Sequence, residues 1–277
     1  MPELTIPGET PVTLHYTDTG GEGRPVVLVH GWPLSGAAWA SATPVLVDAC
    51  ARVIAYDRRG FGASSKPTDG FDYDTLASDL NELILALDLT DAVLVGFSMG
   101  GGEVARYLGT YGSSRISGAV FAAAITPGLG ITDANPNGAG PQSFFDGLAD
   151  QCDADRAGFL DGFMHGVFST ASGLKVSEQD VSDALAIAAQ ASDHALSACI
   201  RIWPTDLQND VRSIDVPVLV IHGDGDQTVP FAVSAGRMRT YLPDADVHVI
   251  ADGPHGINVS NADEFNAALA GFVRRLG

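Results

Sequence analysis

The sequence predicts an α/β fold: a mostly parallel central sheet with helices on both faces and an inserted helical cap. Short β-branched runs alternate with helical patterns over most of the chain, the signature of strands joined by crossover helices. Several runs, Pro25–Val29 and Pro217–His222 among them, are apolar throughout instead of at every second position, as strands covered on both faces require. At residues 92–111 a strand pattern passes through Gly96-Phe-Ser98-Met-Gly100 straight into a helix pattern, the context in which Gly-x-Ser-x-Gly marks a sharp turn at a sheet edge.

In chain order the strand candidates are Val12–Tyr16, Pro25–Val29, Arg52–Tyr56, Ala92–Gly96, Ser117–Ala123, Pro217–His222 and Asp246–Ile250, each a short β-branched or apolar run. The helix candidates between them are Ala37–Val47, Tyr73–Leu87, Gly100–Tyr111, Phe231–Tyr241 and Ala262–Arg275. The last opens on Asn261-Ala-Asp-Glu264, a capping-box pattern with Asn in place of Ser or Thr. Between Ala124 and Val216 the rhythm breaks. Loop-like Thr126–Gly130 and Asn135–Pro141 precede helical segments such as Ser177–Gln190. A structureless loop of that length does not suit a compact domain, so residues 125–216 are read as a helical cap set into a core of residues 1–124 and 217–277.

A chain of 277 residues with 45% hydrophobic content can bury the core of one such domain. Fifteen basic against 34 acidic residues give a net charge of −19, which argues against nucleic acid and anionic membranes as partners. Cys50, Cys152 and Cys199 stand far apart with no C-x-x-C pair, so neither a zinc cluster nor a disulfide framework is indicated, and a reducing compartment fits. The N-terminus MPELTIPGET lacks a basic region leading into an apolar core, and no apolar run approaches the roughly 18 residues of a membrane span. The expectation is a soluble, cytoplasmic protein; the oligomeric state, a homo-oligomer included, is left open.

Serine is a poor nucleophile at neutral pH and needs an exposed Oγ, a base within reach and N–H donors for the oxyanion. The turn at Ser98 exposes the hydroxyl, and the helix that follows aims its N-terminus, with the backbone N–H of Met99, at developing negative charge. An acid and a histidine should then follow in that order. Pro217–His222 runs into Gly223-Asp224-Gly225-Asp226, at the carboxyl end of a strand where open α/β sheets place ligands. Asp226 is preferred to Asp224 as the orienting acid, because Asp224 lies closer to the strand and suits capping of its own turn. Asp246–Ile250 runs into Asp252-Gly-Pro-His255, which puts His255 at the same edge, with Asp252 read as a turn residue.

The other histidines read as structural. His15 and His248 fall within strands, His222 ends one, His165 and His194 belong to the cap, and His30 anchors a loop. None forms a metal-ligand pair such as H-E-x-x-H, so no metal is expected. The second oxyanion donor is expected from the loop after Val26–Val29, where Gly31 allows close approach and the Trp32 N–H pairs with that of Met99. Pocket walls are sought among Trp32, Pro33, Ile125, Phe144, Phe163, Trp203 and Val229, an apolar set suited to small or aromatic esters and lactams.

Together, His30-Gly-Trp-Pro-Leu-Ser35, Tyr56-Asp-Arg-Arg-Gly-Phe-Gly-Ala-Ser-Ser65, Gly96–Tyr107 and His222–Pro230 resemble the cofactor-free haloperoxidases, perhydrolases of the α/β-hydrolase superfamily close to aryl esterases and γ-lactamases. The likeness runs from about residue 10 to the C-terminus and is loose in the cap. It implies an α/β-hydrolase fold, a triad of Ser98, Asp226 and His255, oxyanion donors at Trp32 and Met99, and no cofactor. By the same likeness Asp57, Arg58 and Arg59 form a structural loop, and Pro33, the proline of the perhydrolase-type members, tunes the oxyanion loop for peroxide. The expected partners are a small acyl substrate (an ester, carboxylic acid or lactam) and hydrogen peroxide. Two other readings stand beside this one: an esterase or γ-lactamase without perhydrolysis, and a ligand receptor that keeps the fold without turnover. Dehalogenase and epoxide-hydrolase chemistry normally needs a carboxylate at position 98.

Overall fold

In the computed structural model, which describes residues 2–8 and 11–277, the predicted strands join one eight-stranded sheet. Met1, Glu9 and Thr10, part of the N-terminal stretch considered above, lie outside the described residues. The elements follow as β1 (Glu3–Ile6), β2 (Val12–Asp18), β3 (Arg24–Val29), α1 (Ala42–Asp48), β4 (Ala51–Tyr56), α2 (Tyr73–Ala86), β5 (Ala92–Phe97), α3 (Met99–Tyr111) and β6 (Ile116–Ala122). Next come α4 (Gln142–Ala154), α5 (Arg156–Val167), the hairpin β7 (Ser169–Thr170) and β8 (Gly173–Leu174), α6 (Glu178–Ala188), α7 (Asp193–Ile202) and α8 (Gln208–Arg212). The chain closes with β9 (Val218–Gly223), α9 (Ala235–Tyr241), β10 (Asp246–Ile250), α10 (Ile257–Ser260) and α11 (Ala262–Arg275). The spatial order is β1-β2-β4-β3-β5-β6-β9-β10, parallel from β4 onward and antiparallel at β1 and β2.

Side chains alternate across a strand, and here both faces are covered, which is why the central strands are apolar throughout. Val27 and Val29 of β3 and Leu94 of β5 pack with Leu80, Leu83, Val104 and Leu108 of α2 and α3. Val26 and Leu28, with Val93 and Val95, pack with Leu46 of α1 and Phe265, Leu269 and Phe272 of α11. Helices α4–α8 stand between β6 and β9 in sequence, and a third apolar cluster links α4, α5 and α7 to Trp32, Phe61 and Met99 of the sheet edge.

The structure departs from sequence expectation locally. The helix expected over 37–47 is a 3₁₀ turn, Gly36–Trp39, followed by α1. The helix expected over 231–241 breaks at Ser234 (φ −123°, ψ −103°), whose hydroxyl donates to the Ala124 carbonyl at 2.5 Å instead of continuing the helix. Asn261 forms no capping box: its side-chain oxygen accepts from the Ser260 hydroxyl at 2.8 Å, leaving the α11 N-terminus without that cap. Strand β1 and the β7–β8 hairpin were not expected; at four and two residues each they are too short to show a period.

Candidate active site

Ser98 sits between the end of β5 and the first residue of α3 with φ 54° and ψ −120°, a conformation few non-glycine residues adopt. Its backbone holds the turn: the N–H donates to Ala122 O (2.9 Å), and the carbonyl accepts from Gly101 N (3.0 Å) and Ile125 N (3.2 Å). A side chain at Gly96 would meet the Gly100 carbonyl, and one at Gly100 would strike the carbonyls of Val29 and His30. Glycine at both places therefore lets the turn close against the loop after β3.

Ser98, His255 and Asp226 form one hydrogen-bonded chain. The Ser98 hydroxyl donates to His255 Nε2 at 2.8 Å, and His255 Nδ1–H donates to Asp226 Oδ2 at 2.7 Å, the partners on each side assigning the tautomer. Asp226 Oδ1 accepts from the backbone N–H groups of Thr228 and Val229, both at 2.8 Å. All three side chains are buried. The Phe97 ring lies under the imidazole, with centroids 5.2 Å apart.

The Asp226 carboxyl lies well below the usual carboxylate range. Burial pushes it up, but the attraction of His255 and hydrogen bonds from His222 and His255 outweigh burial. A carboxylate depressed in the folded state adds stability above its unfolded value of about 4, and that contribution drains away as pH falls below it. Between about pH 5 and pH 2.5 the thermal midpoint of the wild type is expected to fall more steeply than that of Asp226→Asn. Equal slopes in a calorimetric pH series would remove Asp226 from the acid-sensitive groups.

The loop after β3 lies against this turn: the carbonyls of Val29 and His30 face Gly100, and a Cβ on Gly31 would come within 3.0 Å of Ser98 Cβ. Among the described residues neither the Trp32 N–H nor the Met99 N–H has a protein partner, which leaves both free to donate. The Trp32–Pro33 peptide is cis. His30 anchors the loop as expected: Nε2 accepts from Arg58 N (2.9 Å) and Nδ1–H donates to Gly31 O (2.8 Å). Burial, then the nearby Arg58 charge, holds its pKa well below the ordinary value, so the ring is neutral.

Arg58 supports both sides of the turn. Its Nη2 donates to His30 O (2.7 Å) and its Nε to Glu103 Oε2 of α3 (2.7 Å), while Tyr56 OH donates to the other Glu103 oxygen. Arg59 is paired with Asp79 (2.6 Å), and Asp57 receives His15 (3.1 Å) and the N–H groups of Gly36 and Ala63. This loop is thus structural, as the resemblance implied. Asp224 accepts from the Asp252 N–H (2.6 Å) and so ties the β9 loop to the β10 loop, where capping of its own turn was expected. Asp252 in turn receives Ser172 (2.9 Å) and the Lys175 ammonium, fastening the β7–β8 segment to the loop that carries His255.

A cavity of about 270 Å³ opens over Ser98. Ile125, Phe144, Phe163, Trp203 and Val229 line it, as anticipated, together with Leu129, Phe145, Leu148 and Thr228, which sequence reasoning missed. Trp32 and Pro33 do not. The Trp32 indole turns toward α7, donating Nε1–H to Leu196 O (3.1 Å) and packing edge-on against Phe163 and Trp203 at 4.8 and 5.2 Å between centroids, so it braces the wall from behind. Pro33 is buried beside it. Among the described residues no group of three or more His, Cys, Asp or Glu side chains is arranged to hold a metal ion, and no helix is long and apolar enough to cross a membrane.

The model of the alpha/beta hydrolase fold family matches residues 24–262. The non-heme chloroperoxidase CPO-A1 of Kitasatospora aureofaciens is 40% identical over 95% of this chain and 97% of its own. The bifunctional esterase/perhydrolase DCH of Acinetobacter calcoaceticus is 34% identical over 95% and 96%. The crystal structure of a bromoperoxidase from Bacillus anthracis superimposes with a TM-score of 0.93 at 44% identity, covering 98% of this chain and 99% of that one. With the eight-stranded sheet and the Ser98 turn in the order this fold requires, the chain belongs to the α/β-hydrolase family, within its non-haem haloperoxidase branch, and is a serine hydrolase by descent.

Proposed function

We propose that the protein is a cofactor-free acyl transferase to water and hydrogen peroxide, an esterase and perhydrolase working through an acyl-enzyme on Ser98. The observation that carries this reading is the unbroken Ser98–His255–Asp226 chain at the floor of an apolar cavity. Ser98 Oγ attacks the carbonyl carbon of a small ester or carboxylic acid as its proton passes to His255 Nε2. The N–H groups of Trp32 and Met99 receive the oxyanion, and Asp226 holds the imidazolium. The intermediate collapses, the leaving oxygen takes the proton from His255, and an acyl-serine remains. Water or hydrogen peroxide then attacks, giving its proton to His255, and Ser98 recovers it as an acid or a peracid departs. A released peracid oxidises halide without further help from the protein: peracid, halide and a proton give carboxylic acid and hypohalous acid.

Residues 125–216 act in this reading as the cap that walls the acyl site, and the cytoplasm is the expected compartment, consistent with three free cysteines. The names of the chloroperoxidase and esterase/perhydrolase relatives support peroxide as acceptor. The test is the yield of peracetic acid from acetate and hydrogen peroxide beside the hydrolysis rate of an aryl acetate. Both activities are expected in the wild type. Hydrolysis without peracid would reassign the protein as a plain esterase, and absence of both would favour a receptor.

A further inference from the structure

His222, the last imidazole before the acid loop, is wholly buried in β9 among Val218, Leu219, Val220 and Ile221. Its Nε2 hydrogen-bonds to Val229 O at 2.9 Å and stands 3.1 Å from Asp226 Oδ2. A ring nitrogen facing two oxygens must carry the proton, since a lone pair there would be repelled by both. The other nitrogen, Nδ1, is buried with no partner among the described residues. For stability alone this is a poor choice: an apolar side chain would fill the same space without leaving a polar atom unsatisfied.

What the imidazole does accomplish is confined to the loop 226–229. Asp226 Oδ1 is held by two backbone N–H groups, which would still let Oδ2 swing about them; the His222 N–H supplies the third point and shares Oδ2 with His255. Resting on the acyl-serine reading above, we propose that His222 is a positioning residue for the acid, donating its Nε2–H to Asp226 Oδ2 and Val229 O. It thereby fixes the carboxylate toward His255 and moderates the negative charge that His255 feels. Because Val229 also lines the cavity, the same imidazole sets the acid and one wall of the acyl site together. Among the described residues the titratable groups facing Asp226 are His222 and His255; in the flanking loops the Asp224 carboxylate is engaged with the Asp252 N–H and the Asp252 carboxylate with Ser172 and Lys175, and His222 itself otherwise meets the edge of Phe231.

The test is aryl-ester hydrolysis across pH for His222→Leu and His222→Gln, the glutamine amide standing near the lost Nε2–H. In His222→Leu, kcat is expected to fall about tenfold or more with KM changed less than about twofold, as for other supporting hydrogen bonds at a reacting group. The acid limb of kcat/KM moves to higher pH, because a carboxylate without its second donor stabilises the imidazolium more strongly. His222→Gln restores most of kcat and returns the limb. An unchanged kcat and acid limb in the leucine variant, or equal loss in both variants, would overturn the proposal. Should neither variant fold, ¹⁵N-imidazole spectra of the wild type decide: His222 is expected as the Nε2–H tautomer, and the Nδ1–H form would refute it. Fluorophosphonate labelling of Ser98 in the wild type separates this failure from failure of the acyl-serine reading itself.

Discussion

Replacing Ser98 by alanine is expected to lower kcat/KM for aryl-ester hydrolysis by about 10⁴- to 10⁶-fold, with perhydrolysis falling in parallel. Both reactions pass through the same acyl-serine, so no acceptor bypasses the loss. A residual rate above that of buffer is expected, because the Trp32 and Met99 N–H groups would still polarise a bound carbonyl. The turn itself should survive, since its backbone bonds to Ala122, Gly101 and Ile125 do not involve the Ser98 hydroxyl. Intact-mass measurement after treatment with a fluorophosphonate gives the complementary result: one adduct per wild-type chain and none on Ser98→Ala. Retained activity in the variant, or an adduct on another residue, would refute Ser98 as the nucleophile.

The largest expected effect on stability belongs to Arg58→Met, at about 3–5 kcal/mol. Arg58 and Glu103 are both fully buried, and burial alone already raises the Glu103 carboxyl, with Arg58 acting against that rise. Methionine leaves the carboxylate without its counter-charge and the His30 carbonyl without its donor. Glu103 then folds at least cost when protonated. A carboxyl raised in the folded state contributes stability below its unfolded value that is lost as pH rises, so the defect should be larger at about pH 8 than at about pH 5.5. Urea unfolding at the two pH values measures this, and a loss under about 1 kcal/mol at both would show that the ion pair is dispensable. Glu103→Leu added to Arg58→Met should recover much of the loss, because removing both charges avoids the unpaired one.

The parts of this architecture that were legible in the sequence are those whose physics is local. Double-sided burial writes itself as an unbroken apolar run in β3, β5 and β9, and the Ser98 turn announces itself because glycines must flank it. His255 and Asp226 were found because strand ends in glycine-rich loops project polar groups to one edge of a parallel sheet. His222 was set aside because a histidine closing an apolar strand looks like core; its spacing of four residues from Asp226 across a tight turn was the signal available. The break at Ser234 could not be read, since Ser234 leaves helical geometry for a hydrogen bond to Ala124, 110 residues away. Pocket walls such as Leu129 and Leu148 depend on how the helices between β6 and β9 lie over the sheet, which periodicity within each helix does not encode. Trp32 shows the converse error: sought as a pocket wall, its ring turns to Leu196 instead.

Apart from Ser98, Thr228 and Val229, every residue lining the cavity falls between Ile125 and Trp203, whereas Ser98, Asp226, His255 and the loop 29–32 all lie outside that stretch. Apart from that 228–229 corner, substrate choice and bond-making are therefore inherited largely through different parts of the gene. Mutation at cavity positions such as Phe144 and Leu148 should reshape what fits without disturbing how it reacts, whereas Ile125, Phe163 and Trp203 carry both duties, since they also hold the Ser98 turn or the Trp32 ring.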